Sequence, residues 1–221
     1  VDDFYTLAAT GKLILKPGIT NNTRYDGGAA PGVVKYKDQN GDGKITTADR
    51  TVIGNAMPKW FGGITNSFSF KGIDFSFMLQ YSYGNDVFNA TRQFATGSQD
   101  QRYNMLAEVA DRWSPTNASN KVPSTKGYVK GDVYSRFVED GSFLRLKNMT
   151  LGYSLPKKWI NKIHISKLRI YGTAQNLFCI SGYSGYDPEV STAASNPMTP
   201  GLDWGAYPKS RVFTFGLDVQ F

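Results

Sequence analysis

The sequence predicts an all-β protein: the last five strands or so of a transmembrane antiparallel β-barrel with long extracellular loops. Five segments alternate apolar and polar residues, and the connections between them alternate short and long. The composition agrees, with 14 Phe, 13 Tyr and 23 Gly, because aromatic residues suit a pleated surface and glycine marks turns and bulges. No run of about 18 apolar residues is present, as a membrane-spanning helix would need.

The clearest alternation lies in two segments, Ile73–Tyr83 and Phe213–Phe221. Each is close to the ~9–11 residues with which a tilted strand crosses a membrane. Shorter alternating segments are Met149–Leu155 and Leu168–Ala174, and the weakest is Trp60–Phe70. The predicted lipid-facing residues are Phe75, Phe77, Leu79, Phe213, Phe215 and Leu217. The predicted lumen-facing residues are Ser76, Gln80, Thr214 and Gln220.

The connections between these segments follow a rhythm. Lys71-Gly72 is a tight hairpin and Pro156–Lys167 is short, whereas Asn85–Ser142 and Ser181–Ser210 are long. Outer-membrane barrels alternate short periplasmic turns with long extracellular loops, and soluble domains seldom hold repeated long loops. The short connections are therefore expected at the periplasmic side.

The predicted strands divide the chain into two parts. Residues 1–59 form an extracellular loop region, and residues 60–221 form barrel strands with two long extracellular loops. Five strands cannot close a barrel of this kind, so the chain is expected to be a fragment of a longer protein. A soluble β-sandwich would alternate in the same way and stays open as an alternative.

Charge and titratable residues point away from catalysis and from nucleic acid. The formal net charge is +7, but basic residues stand singly or in pairs such as Lys157-Lys158, so no nucleic-acid partner is expected. His164 is the only histidine and Cys179 the only cysteine. No catalytic constellation is found, and the chain is predicted not to be an enzyme.

Residues 38–49 follow the spacing of a calcium loop of the EF-hand kind. The ligands predicted by this spacing are Asp38, Asn40, Asp42, the carbonyl of Lys44, Thr46 and Asp49. Asp49 departs from the pattern, because that position holds a bidentate Glu in an EF-hand and Asp is one methylene shorter. The predicted cofactor is structural Ca²⁺, with Mg²⁺ second; a metal-free Asn-Gly-Asp-Gly turn is the alternative.

The last long connection holds two further sets of residues. Tyr183, Tyr186 and Trp204 are predicted to bind a partner or ligand, although they could equally pack the loop upon itself. Asp187 and Glu189, in Tyr-Asp-Pro-Glu, are predicted to cap a proline turn with solvated carboxylates.

Several motifs, taken together and in order, resemble the SusC/RagA family of TonB-dependent outer-membrane transporters. They are Val34–Ile45 with Asp49–Gly54, Lys71–Phe75, Gly141–Asn148 with Leu151–Pro156, Gln175–Phe178, Gly182–Glu189 and Tyr207–Phe221. The resemblance covers most of the chain from Val33 onward. It implies a barrel of about 22 strands in the lipid of the cell outer membrane, with an N-terminal plug that this sequence lacks.

The resemblance also implies a function and partners. Receptors of this family import oligomeric nutrients, glycans or peptides, together with a SusD-like surface lipoprotein, and contact TonB through the N-terminal part missing here. Two alternatives remain: an outer-membrane barrel for secretion or adhesion, and a soluble carbohydrate-binding β-sandwich with a calcium loop.

Overall fold

A computed structural model describes residues 4–7, 12–23, 28–97, 103–119, 121–124, 127–128, 132–161, 164–190 and 199–221. The chain divides into two compact units: Val1–Ile53 with Ala90–Phe137, and Gly54–Asn89 with Val138–Phe221. Within the described ranges, no helix has the length and apolar character needed to cross a membrane. The boundary predicted at residue 60 stays a prediction.

The first unit carries short elements around an aromatic core. These elements are the hairpin β1 (Phe4–Leu7) and β2 (Lys12–Leu15), helix α1 (Ala90–Gly97), and 3₁₀ helices at Thr47–Asp49, Ala107–Asp111 and Ser135–Phe137. Tyr128, Tyr134 and Phe137 are buried and contact one another ring to ring. Arg92 of α1 makes a two-bond ion pair with Glu108, which ties two of the short helices together.

The second unit is built on a six-stranded antiparallel sheet. Its strands are β3 (Trp60–Phe70), β4 (Ile73–Tyr83), β7 (Phe143–Ser154), β8 (Lys167–Gln175), β9 (Cys179–Ser181) and β11 (Val212–Gln220). The order is β3-β4-β7-β8-β11, with β9 paired to the first residues of β7. The five long strands pair with one another in chain order, so the five predicted strands and the antiparallel all-β fold are confirmed.

The long connections carry their own small structure. Strands β5 (Asp86–Asn89), β6 (Val138–Asp140) and β10 (Leu202–Asp203) form a three-stranded sheet in which β5 is central. The connection Pro156–Lys167 includes one helical turn, α2 (Lys157–Ile160). Lys71 and Gly72 have φ values of +47° and +87°, as a two-residue type I′ hairpin requires.

The register gathers the apolar residues on one face of the large sheet. One row of paired residues runs Phe68, Phe75, Leu151, Gly172 and Phe215 across all five long strands. This face is bare in the described part of the chain; Phe215, for example, is 84% exposed. A soluble sandwich would cover such a face with a second sheet, so the sandwich alternative is not supported.

β7 begins at Phe143, six residues before the predicted start at Met149. A bulge at Lys147 interrupts the alternation, so the sequence pattern does not show the first half of the strand. Leu79 pairs with Leu146, while the preceding Met78 pairs with Asn148, so one extra residue enters β7. The apolar face therefore switches from even to odd positions at Lys147, and an uninterrupted period of two does not extend through it. The same shift places Arg145 on the polar face, opposite Gln80.

Candidate functional site

The predicted cation loop is folded by its own side-chain oxygens. The Asp38 carboxylate accepts hydrogen bonds from the N–H groups of Gly41 and Gly43, at 2.6 and 2.8 Å. Asp42 accepts one from the Lys44 N–H at 2.8 Å. Both glycines have positive φ, +76° and +78°, which residues with a Cβ rarely adopt. The carboxylates of Asp38 and Asp42, the first and fifth residues of the loop, thus turn inward over its backbone.

Asp49 closes this loop at its far end. Its two oxygens accept hydrogen bonds from the N–H groups of Gln39 and Thr46, at 2.9 and 2.7 Å. The Thr46 hydroxyl in turn accepts from the Ala48 N–H at 3.1 Å, completing a capping box on a 3₁₀ turn. The N–H groups, of Thr46 first and then Gln39, lower the pKa of the Asp49 carboxyl.

The donor set suits a hard cation. Oxygen ligands are the ones that Ca²⁺ and Mg²⁺ prefer, and a carboxylate oxygen that accepts one N–H keeps a second lone pair. Among the described residues, no three His, Cys, Asp or Glu side chains are gathered as metal ligands. A cation here would therefore need the Asn40 amide and the Lys44 carbonyl beside the three aspartates.

Just before the cation loop, Tyr36 anchors the chain within the first unit. Its hydroxyl donates to Asp132 at 2.8 Å and lies 3.1 Å from the Tyr134 hydroxyl. Burial, then these two hydrogen bonds, raise the pKa of Tyr36. Tyr36, Asp49 and Asp132 border one open cleft of about 720 Å³, so the loop and the 132–134 segment share a surface.

The three predicted loop aromatics have different environments. Tyr183 is buried and donates a 2.6 Å hydrogen bond to Asp203, so it packs the loop upon itself. Burial and this hydrogen bond raise its pKa. Tyr186 and Trp204 are 84% and 53% exposed, so both offer ring surface to a partner or ligand.

Glu139 joins the last long connection to the three-stranded sheet. It accepts 2.8 Å hydrogen bonds from both the N–H and the hydroxyl of Ser184. The buried Asn89 amide donates to the same carboxylate at 3.2 Å. Glu139 thereby joins the loop that contains Ser184 to the strand that contains Asn89.

The expectation of solvated carboxylates at Asp187 is wrong. Asp187 is buried and forms a 2.5 Å ion pair with Arg145, which is buried as well. The turn-capping role is confirmed, because Asp187 accepts the Glu189 N–H at 2.9 Å, and it also accepts the Lys209 N–H at 3.2 Å. One carboxylate therefore caps a turn and pairs with a strand residue.

Glu189 completes a charged cluster around this pair. Its Oε2 lies 2.5 Å from Lys209 Nζ and 3.5 Å from Lys147 Nζ. Arg145 Nε is also 3.5 Å away, without hydrogen-bond geometry. Three cations and two carboxylates thus meet on the polar face of β7.

A second ion pair crosses the polar face at the other end of the sheet. Arg169 makes two hydrogen bonds to Asp74, at 2.9 and 2.5 Å, passing over Gly152 on the strand between them. A Cβ at Gly152 would lie 2.5 Å from the guanidinium. Next to it, the Tyr171 ring covers Gly216, where a Cβ would lie 2.3 Å from the ring. Periodicity gives no signal for these contacts.

The chain is similar to known outer-membrane receptors, although no protein-family model matches it. It is 36% identical over 200 residues to the TonB-dependent receptor P3 of Formosa agariphila, covering 88% of this chain and 20% of the relative. It is 32% identical over 199 residues to the TonB-dependent receptor SusC of Bacteroides thetaiotaomicron, covering 89% and 18%. The solved RagAB peptide importer, in its open-open state, matches with a TM-score of 0.71 and 25% identity, covering 99% of this chain and 24% of that one. The chain belongs to the SusC/RagA family of TonB-dependent receptors.

Membership of this family locates the chain in the outer membrane and makes its large sheet part of a barrel wall. In such a wall one face meets lipid and the other lines the lumen, and the bare apolar face is the one predicted to lie against lipid. The chain spans about a fifth of the length of the relatives it matches. These relatives are receptors, and the structural neighbours are peptide importers.

Proposed function

We propose that the receptor to which this chain contributes imports an oligomeric nutrient, a glycan or a peptide, across the outer membrane. The observation that carries the proposal is the match of this chain, strands and loops together, to SusC and to the RagAB peptide importer. The proposed lumen face carries polar and charged side chains such as Ser76, Gln80 and Arg145, which suits passage of a polar oligomer.

The proposed partners are a SusD-like surface lipoprotein on the outer loops and TonB, reached through a part of the receptor outside this chain. Trp204 and Tyr207 support the first contact, because they are 53% and 86% exposed and large aromatic anchors dominate interfaces. Trp204 follows directly on β10, whose pairing with β5 gives the anchor a fixed base.

Co-purification tests the partner. The full-length receptor in mild detergent should bring down a lipidated protein, and Trp204→Ala with Tyr207→Ala should reduce its yield about ten-fold. Trp159→Ala is the control, since that 64% exposed ring lies in a short connection predicted to face the periplasm. Deleting the lipoprotein should also abolish uptake. Recovery of the receptor always alone, with uptake unaffected by that deletion, would favour the secretion or adhesion alternative.

We also propose that the loop 38–49 binds one divalent cation, Ca²⁺ before Mg²⁺, in a structural role. The ligand spacing and the inward-turned carboxylates of Asp38 and Asp42 support it. Calorimetric titration of the full-length receptor with Ca²⁺ should give binding heat that Asp42→Ala removes. Asp111→Ala removes an equal charge outside the loop and should keep the heat. A parent protein that gives no heat would reduce the loop to a turn.

A further inference from the structure

The end of the segment 182–189 lies against the polar face of the sheet, where Asp187 and Glu189 contact β7. Its residue Asp187 pairs with Arg145, which lies inside the sheet, flanked by Gln80 of β4 and Cys179 of β9. Only 4% of the Arg145 side chain and 5% of the Asp187 side chain are exposed. The chain that leaves β9 therefore folds back and covers a charged position of the barrel wall.

This ion pair holds the segment because neither charge can be left alone there. Removing two charges from water is costly, and the loss is recovered only while both partners are present and hydrogen-bonded. Asp187 meets this condition with its bonds to Arg145 and to the N–H groups of Glu189 and Lys209. Opening the segment would break these three hydrogen bonds and separate Arg145 from its counter-charge.

Other contacts anchor the segment on both sides of Asp187. Before it, Tyr183 is bonded to Asp203 and Ser184 to Glu139. After it, Glu189 is paired with Lys209. Between these anchors a single large side chain remains open to solvent, the 84% exposed ring of Tyr186.

We propose that Arg145 and Asp187 form an ionic latch that fixes the segment 182–189 in the lumen lining and thereby positions Tyr186 to contact the imported oligomer. Arg145 and Asp187 are positioning residues, and Tyr186 is the residue that touches substrate. A flat ring on a fixed base suits stacking on a sugar ring or on the apolar side chains of a peptide. The substrate part of this proposal rests on the proposed function; the latch does not.

Hydrogen–deuterium exchange on the full-length receptor tests the latch without any transport. In Asp187→Asn, the backbone N–H groups of residues 183–187 and 189 should exchange at least about ten-fold faster, while those of β4 and β8 keep their protection. Because Arg145→Met leaves a buried carboxylate and can impair folding, the double variant Arg145→Met/Asp187→Asn removes both charges and should release the segment in a folded barrel. Arg92→Met is the matched control, since it breaks the pair with Glu108 elsewhere. Unchanged exchange of residues 183–189 in Asp187→Asn and in the double variant overturns the latch.

Uptake kinetics test the positioning. Tyr186→Ala should raise the half-saturating concentration of the imported oligomer several-fold at an unchanged maximal rate, and Asp187→Asn should produce the same shift with the ring still present. Trp159→Ala should produce none. Faster exchange with an unshifted half-saturation in Asp187→Asn would overturn the positioning of Tyr186 and leave the latch standing. A parent receptor that takes up no oligomer would overturn the proposed function, and with it the substrate contact, while the exchange result still decides the latch.

Discussion

Replacing Phe77 by arginine tests the lipid-facing assignment of the apolar face. Phe77 is the fifth residue of β4, so it lies about 14 Å along the strand from Ile73 at about 3.4 Å per residue. A strand tilt of about 40° makes this about 10 Å of depth, near the middle of an apolar band about 25 Å tall. A cation at that depth costs about 2–4 kcal/mol. Loss of ring contacts to Phe68 and Phe75, with centroids 6.4 and 5.8 Å away, adds about 1 kcal/mol.

Two control variants separate the effects that Phe77→Arg combines: one places the same charge on the other face, and the other removes the ring without adding a charge. Ser76→Arg adds the same cation at the same depth on the lumen face, opposite Ser67 and Thr150. It is a cleaner control than a change at Gln80, which faces Arg145. Phe77→Leu removes only the aromatic contacts. Guanidinium unfolding of the full-length receptor in lipid vesicles, followed by the heat-sensitive gel mobility of folded barrels, gives the comparison. Equal destabilisation by the two arginines, within about 0.5 kcal/mol, would refute the assignment.

Three further changes have expected outcomes. Gly72→Ala should destabilise by about 1–2 kcal/mol or more, because its φ is +87° and a Cβ would lie 2.7 Å from a carbonyl oxygen of β7. Gly216→Ala should cost about 1–3 kcal/mol by displacing the Tyr171 ring from the lumen wall. The hydrogen bonds from Arg92 lower the pKa of Glu108 below its ordinary 4.5. Their stabilisation is complete above that value and is lost as the pH falls through the lower folded pKa, so the 107–111 helix should lose protection against exchange in acid, below pH 4.5.

Each of these changes has a matched comparison. Lys71→Asn keeps the type I′ turn and should change stability by less than about 0.5 kcal/mol. Gly182→Ala, where nothing lies within 4 Å of the added Cβ, should be tolerated where Gly216→Ala is not. Glu108→Gln should abolish the pH dependence of the 107–111 exchange. If a comparison variant responds as strongly as the variant it is matched with, the contact proposed for that variant is contradicted.

The spanning strands could be predicted because two different solvents act on them. In a barrel wall, lipid on one face and the lumen on the other enforce a period of two over the full crossing, and β4 has the predicted bounds, Ile73–Tyr83. The hairpin at Lys71-Gly72 could be predicted for a related reason, since its two residues must connect directly paired strands. The first half of β7 could not be predicted, because one extra residue at Lys147 reverses the alternation.

The contacts of the loops depend on partners that are distant in sequence. In the loop 38–49 every such bond spans at most ten residues, so the turn is visible in the local spacing, and cation binding stays a prediction. Tyr183 could not be assigned in the same way, because its burial depends on Asp203, twenty positions further along the chain. Sequence reasoning left ligand binding and self-packing equally open for it, and only the fold separates them.

Asp187 carries the same reasoning one step further. The Asp-Pro-Glu motif correctly predicts a capped turn, because the Glu189 N–H lies two residues away. It gives no sign of burial, because the counter-charge is 42 residues earlier, on a strand segment hidden by the bulge. A carboxylate predicted to be solvated thus lies against the barrel wall. Since Arg145 on the polar face is paired with the chain's own loop, the local charge there is set by segment 182–189 together with β7. A charge map drawn from strand residues alone would place an unpaired cation at Arg145, whereas Asp187 pairs with it and Glu189 Oε2 lies 3.5 Å from its Nε.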